Sequence, residues 1–309
     1  MSLVGPAPAP ASARRDVWRR FHRNRLGMVG AAIVLLLVVM ALFAPQIAPR
    51  DPAEQNLRAR RTAPNAQYLL GADEFGRDIL SRIVFGTRAS LVVALGSVAI
   101  GLTLGSFLGA LAGYLGGWVD GLVMRTMDLF LAFPYLLLAI IIVSALGPGM
   151  LNTILAIAVW TIPAFARVAR SAVLQLKERD FVTAALSLGA KEARVLGVHL
   201  LPNFAATLVV YASLYLAYAI LMESALSFLG LGVQPPTASW AGMIASGRNY
   251  VTSAPHIATI PGIAIAVAVL GFNLLGDGLR DALDPRWANM RHPANGACIA
   301  TFIAAGPRP

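Results

Sequence analysis

The chain has 309 residues, 57% of them hydrophobic and 13% charged, and its formal net charge is +10. A soluble domain carries about 25% charge, and several segments here exceed the roughly 18 uncharged apolar residues of a membrane span, so composition excludes an ordinary soluble domain. Cys298 is the one cysteine, which excludes a disulfide framework and a thiolate metal cluster. The basic residues sit beside apolar runs, where membrane orientation accounts for them better than nucleic acid does.

Residues 1–13 (MSLVGPAPAPASA) are rich in Pro and Ala and read as disordered. Arg14, Arg15, Arg19, Arg20, Arg23 and Arg25 follow, interleaved with Trp18 and Phe21, as an amphipathic interfacial segment. Residues 1–26 are thus a cytoplasmic N-terminus, and 27–49 hold the first span, Gly27 to Ala44. A signal peptide's apolar region runs to only about 7–15 residues. This run is longer and is kept as an anchor, with cleavage after Ala44 the less favoured reading.

Residues 50–88 form a polar connection that parity places outside. Asp73, Arg77, Asp78 and Arg82 recur at spacings that predict charge pairing along one helical side. The arginines of this loop run against the positive-inside rule, which weakens for longer loops. From Ala89 to Leu115 a second span carries Gly101, Gly105, Gly109 and Gly113 down one face, a stripe that lets helices approach closely. Gly116 to Asp120 then turns the chain, and a third span runs from Leu129 to Leu146 with Pro134 breaking its hydrogen-bond ladder near the start. Gly147-Pro148-Gly149 is an outer turn, and Leu151 to Val168 is a fourth span, kinked at Pro163.

Asp180 to Asn203 interrupts the apolar pattern with charge. Phe181, Ala185, Leu188 and Val195 would share one helical face, with Lys191, Glu192 and Arg194 on the polar side. Gly189 can close a first helix in the left-handed conformation, and Pro202 suits the start of a second. The prediction is helix, bend, helix outside the hydrocarbon, exposing the small pair Ala184 and Ala185. An amphipathic loop resting on the membrane surface fits the periodicity equally well. Arg167, Arg170, Lys177, Arg179, Lys191 and Arg194 mark this side as cytoplasmic, as parity also requires.

Ala205 to Leu226 is the fifth span. It contains Glu223 close to Ser224 and Ser227, and an ionisable residue inside a span is a functional hypothesis by default. Near the outer end a structural hydrogen bond ranks ahead of a pathway contact. Trp240 and Tyr250 in the following loop suit an interface. Ile257 to Leu275 is the sixth span, with Pro261 near its outer end, and residues 287–309 read as a disordered cytoplasmic tail. The sequence holds no phosphate-binding G-x-x-x-x-G-K-[ST] loop, no H-E-x-x-H pair and no G-x-S-x-G elbow. His22, His199, His256 and His292 fall on different sides, so a shared metal site is not expected. No catalytic constellation assembles, and the chain reads as non-enzymatic.

Four strings carry a resemblance. Thr183-Ala184-Ala185, Gly189 and Leu201-Pro202 resemble the "EAA" loop of ABC-importer permeases, with Thr183 standing where that family has its glutamate. Residues 70–82 (LGADEFGRDILSR) resemble an outer string of the peptide- and nickel-type permeases, with Ala72 in place of a threonine. Residues 223–232 (ESALSFLGLG) and the exit string 273–286 (NLLGDGLRDALDPR) resemble that group as well. The resemblance implies an all-α membrane protein of six transmembrane helices with the type I ABC importer permease fold, in which residues 89–286 form the permease core. It implies a homologous permease as heterodimer partner, an extracytoplasmic solute-binding protein, and two ATPase subunits that use ATP and Mg while this chain binds no cofactor. The coupling loop to an ATPase would be residues 180–203, through Thr183, Ala184, Ala185, Gly189, Leu201 and Pro202, in a bacterial inner membrane with both termini cytoplasmic. Dipeptides, oligopeptides, nickel complexes and glutathione all fit as solutes. From another class, an ion-coupled secondary transporter would need an internal repeat and charges at mid-membrane, and only Glu223 is offered. A membrane hydrolase or scaffold leaves the helix-bend-helix unexplained.

Overall fold

A computed structural model describes residues 10–283. The disorder expected of residues 1–9 and of the tail concerns positions outside that range, as do Asp284, Pro285 and Arg286 of the exit string. Pro10 to Ala13 are already helical, opening α1 (Pro10–Arg23).

Asn24 then breaks the chain and caps α2 (Arg25–Leu42), its Oδ1 accepting from the Gly27 amide at 3.0 Å. A short α3 (Ala44–Ile47) leads into the loop that ends at Asp78. There α4 (Ile79–Ile100) begins, and a π turn at Gly101–Gly105 joins it to α5 (Ser106–Leu115) as one helix. After α6 (Gly117–Leu131) and α7 (Tyr135–Leu146) come α8 (Met150–Lys177) and the loop helices α9 (Asp180–Ser187) and α10 (Glu192–Arg194). A second π segment, Val195–Leu200, runs into α11 (Leu201–Phe228), followed by α12 (Trp240–Gly247) and α13 (His256–Leu283). Hydrocarbon offers no partner to backbone polar groups, so a helix is what such apolar runs can form there. Five of these helices are long and apolar enough to cross a membrane, and α6 with α7, bent by 89°, makes a sixth if the pair counts as one broken span.

The glycine stripe sets the centre of the bundle. A methyl group at Gly105 would stand 2.9 Å from Phe165 Cβ, and at Gly109 2.6 Å from the Ala166 carbonyl carbon. Helix α8 therefore lies directly against α4 and α5, the packing that the four-residue repeat predicts. A second close crossing, which the sequence reading did not single out, joins α2 to α13: a Cβ at Gly27 would come within 2.8 Å of Gly278 Cα, and one at Gly30 within 2.8 Å of Gly271 O.

Polar contacts pin the two ends of the bundle. On the side of the described chain ends, Asn24 Nδ2 donates to Asp281 at 2.9 Å, Lys177 Nζ to the Tyr114 carbonyl at 2.6 Å, and Arg170 to both oxygens of Asp120. At the opposite end, Arg88 Nε donates to Ala41 O at 3.0 Å and Trp240 Nε1 to Ile83 O at 2.9 Å.

Several expected boundaries move. The second span starts at Ile79 rather than Ala89, because Asp78 accepts from the Ser81 amide at 2.8 Å and nucleates the helix there. Only Gly116 and Gly117 turn the chain, through positive φ, while Trp118 to Asp120 are already helical. The third span is not the single helix expected from Leu129: a proline disfavours helical backbone in the residue before it, the chain breaks at Ala132–Pro134, and α7 continues alone for 12 residues. That is about 18 Å of rise, short of the roughly 30 Å hydrocarbon core. Pro163 and Pro261 sit inside α8 and α13 without interrupting either.

Candidate functional site

The loop between α8 and α11 is a helix-bend-helix. Helix α9 closes with Leu188 as its cap: the Gly189 amide donates to Leu186 O at 2.9 Å and the Ala190 amide to Ala185 O at 3.1 Å. This paired arrangement requires a left-handed residue after the cap. Gly189 supplies it at φ 81°, with open space around it.

Val182, Val195 and Leu200 are the residues that turn inward. Phe181 and Leu188, expected on the same face as Val195, point out, and Leu188 is 88% exposed. The reason is local. A left-handed turn resets the direction of the chain, so one helical phase cannot be carried from Phe181 through Gly189 to Val195. Thr183, Ala184, Leu201 and Pro202 are exposed and Ala185 is partly so. Pro202, expected to begin a helix, stands in the first turn of α11, into which the π segment Val195–Leu200 leads without a break. A π turn widens the helix and is a usual companion of a residue that cannot donate to the ladder. Lys191, Glu192 and Arg194 are exposed. The outward surface therefore presents Leu186, Leu188, Val198 and Leu201 among small and charged neighbours, which suits a protein cleft rather than a small molecule.

Of the residues expected in the fifth span, Glu223 and Ser227 come together and Ser224 does not. The Glu223 carboxylate is fully buried and accepts from Ser227 Oγ at 2.8 Å and from Ser90 Oγ at 3.3 Å. Ser227 Oγ in turn accepts from the Val233 amide at 3.3 Å. Ser224 Oγ donates instead to its own helix, to Ile220 O at 2.7 Å. The sequence reading missed Ser90, whose only signal is a hydroxyl on another helix. The group ties α4, α11 and the outer loop together from inside the fold.

The outer charged string is likewise turned inward, though not along a helical side. Asp73 accepts from the amides of Phe75 and Arg77 at 2.9 Å, and Arg77 Nε donates to it at 2.6 Å. Arg82 Nε stands 3.4 Å from the same carboxylate. Gly76, at φ 76°, keeps this stretch a turn, and Asp78 is taken up as the cap of α4, so it joins no arginine of the string.

Residues 101–289 match the family described as "Binding-protein-dependent transport system inner membrane component", and residues 12–64 match the "N-terminal TM domain of oligopeptide transport permease C". The di/tripeptide transport system permease protein DppC of Pseudomonas aeruginosa is 47% identical over 294 residues, covering 93% of this chain and 95% of that protein. The glutathione transport system permease protein GsiD of Escherichia coli O6:K15:H31 is 45% identical, covering 88% and 90%. The dipeptide transport system permease protein DppC of Alkalihalophilus pseudofirmus is 44% identical over the same shares. Among solved structures, a chain of the MetNI methionine ABC transporter in inward-facing conformations is similar in fold, with a TM-score of 0.55 over 67% of this chain and 98% of that chain at 18% identity.

Proposed function

This chain belongs to the family of inner membrane components of binding-protein-dependent transport systems, and from that premise we propose that it forms half of a translocation pathway for small peptides or a related solute such as glutathione. It is the permease subunit of an ABC importer and not an enzyme; ATP hydrolysis belongs to a separate subunit. The proposal extends to the assembly: a homologous permease as the other half, two ATPases carrying ATP and Mg, and a solute-binding protein on the outer face. Both termini and the loop 180–203 lie in the cytoplasm, and residues 50–78 outside. The family match gives no support to an ion-coupled secondary transporter.

The observation that carries the coupling role is the exposed helix-bend-helix itself. Leu188 stands 88% exposed beside a left-handed glycine with nothing packed on it. Burying such a leucine in a partner's cleft stabilises by about 1.5–3 kcal/mol, and the open space at Gly189 leaves room for that partner. ATP-driven closure of the ATPases would move this loop, and with it α8 and α11, between two arrangements of the pathway. Glu223, Ser90 and Ser227 keep α4 and α11 in register while this happens.

The test is recovery of partners from membranes with tagged protein. Wild type should bring down an ATPase and a second permease, and Leu188→Asp should lose the ATPase while keeping the permease. Recovery of neither partner by wild type would overturn the importer assembly.

A further inference from the structure

Four aromatic rings gather in one layer of the bundle. Trp160 on α8 lies 5.4 Å from Tyr135 of α7, 5.5 Å from Tyr215 and 6.4 Å from Tyr218, both of α11, and the two α11 tyrosines are 5.9 Å apart. Counting rise along each helix, Trp160 and Tyr218 stand about 15 Å from the outer ends of α8 and α11, and Tyr135 and Tyr215 about 17–20 Å. In a hydrocarbon core of roughly 30 Å that is the middle.

The depth makes the composition informative. Tyr and Trp favour the membrane interface, where their polar handles meet water. Here none of the four has a hydrogen-bond partner for its hydroxyl or indole N–H among the described residues. Yet the layer is not sealed inside the chain, for Tyr135 is 52% and Tyr218 54% exposed. Facing lipid at this depth would leave these polar groups unsatisfied at a penalty of kilocalories. The face therefore meets water or the polar surface of a partner rather than lipid.

The rings also differ in what covers them from three of the other four tyrosines. Tyr68, Tyr250 and Tyr114 each carry one of the chain's own cations over the ring, Arg50, Arg61 and Lys177 respectively. Among the described residues no cation lies over Trp160, Tyr135, Tyr215 or Tyr218. Their electron-rich faces are free to attract one.

We propose that Trp160, Tyr135, Tyr215 and Tyr218 form an aromatic ledge on the pathway side of the subunit, at mid-membrane, that receives the primary ammonium group of the transported solute. The proposal rests on the reading of this chain as half of a pathway for peptide-class solutes, which carry such a group. Solute passing the ledge exchanges part of its hydration for the ring faces and keeps the rest. A contact of this strength slows passage without trapping the solute.

The experiment uses the importer purified with its partners and reconstituted in liposomes. In a Cys298→Ser background, Tyr135→Cys and Tyr218→Cys are each exposed to two methanethiosulfonates, one carrying a trimethylammonium group and one a sulfonate. Leu35→Cys, on the exposed face of α2, is the lipid-facing control. Both ledge cysteines should react in at least one nucleotide state and the control in none. With each rate divided by that reagent's rate on a small free thiol, the cationic reagent should react faster, by roughly 2- to 30-fold for a cation–π contact. Adding Trp160→Ala should bring the two rates together, and Trp160→Phe should keep most of the difference. Unreactive ledge cysteines in an importer that still hydrolyses ATP on demand from its binding protein would overturn the pathway assignment, placing this face against the second permease. Equal rates for the two reagents would overturn the ammonium preference. An absence of any copurified ATPase would instead sink the importer assembly, so the failures are distinguishable.

Discussion

The loop between α8 and α11 and the outer string from Asp73 to Arg82 are two charged stretches of an apolar chain, and they use charge in opposite ways. In the outer string Asp73, Glu74 and Arg82 are buried and Arg77 partly so, and they pair, Asp73 with Arg77 and Arg82 and Glu74 with Arg77. In the inner loop Lys191, Glu192 and Arg194 stay in solvent and leucines point outward. Charge therefore builds structure on one side and, on the other, stays in solvent beside the exposed apolar surface proposed to dock a partner. The marker of a contact site in this molecule is exposed apolar area beside open backbone, not a cluster of charges.

The sharpest way to break that contrast is Asp73→Ala. Removing one carboxylate leaves two guanidiniums without it, one buried and one partly so, and breaking such a buried pair is destabilising by about 3–5 kcal/mol. Thermal unfolding of the purified protein in detergent should show a large loss; a midpoint equal to wild type would mean that the string is not structural. In the inner loop the same kind of change should act on partners only. Leu188→Asp should leave the unfolding midpoint nearly unmoved, within about 0.5 kcal/mol for an exposed site, while ATPase recovery falls by tenfold or more. If stability collapses as well, the loop is part of the core after all.

Gly189 sharpens the comparison further. A β-branched residue held at positive φ is strained by about 1–3 kcal/mol, so Gly189→Val should weaken ATPase recovery, and Gly189→Asn, which tolerates that conformation better, should restore much of it. Similar losses in both variants would make the side chain rather than the bend responsible. The smallest effect is expected inside α11. Glu223→Gln keeps an acceptor for Ser227 and Ser90, so uptake should remain within about twofold of wild type, while Glu223→Ala leaves buried hydroxyls short of a partner at about 1–3 kcal/mol. Loss of uptake in Glu223→Gln with unchanged stability would make the carboxylate a pathway group.

Much of this was legible in the residues. Length and apolarity mark the long helices, the four-residue glycine repeat marks the face of the π turn and α5 that packs closely, and Gly189 announces its own bend. What failed had identifiable causes. The phase of Phe181 and Leu188 was carried across a turn that resets it. The start of α4 is signalled only by Asp78, a residue type suited to an N-cap, and the same carboxylate fits charge pairing with the arginines around it equally well. The 89° bend between α6 and α7 is announced by Pro134 only as a break, not as a direction. Ser90 and Glu223 lie 133 residues apart, and no local pattern connects them.

The crossing of α2 with α13 has a bearing on how the molecule is made. Gly27 and Gly278 meet with no side chain between them, so the glycine face of α2, a helix that also touches α4 through Arg88, finds its partner only after nearly all the rest has been synthesised. Until then α2 stands in the bilayer with its glycine face toward lipid, an early arrival waiting for the last. Insertion of the bundle is thus complete at one moment, when α13 enters and slides its glycines against that face. A chain cut before Gly271 would leave the face of Gly27 and Gly30 without the close partner it has in the full bundle.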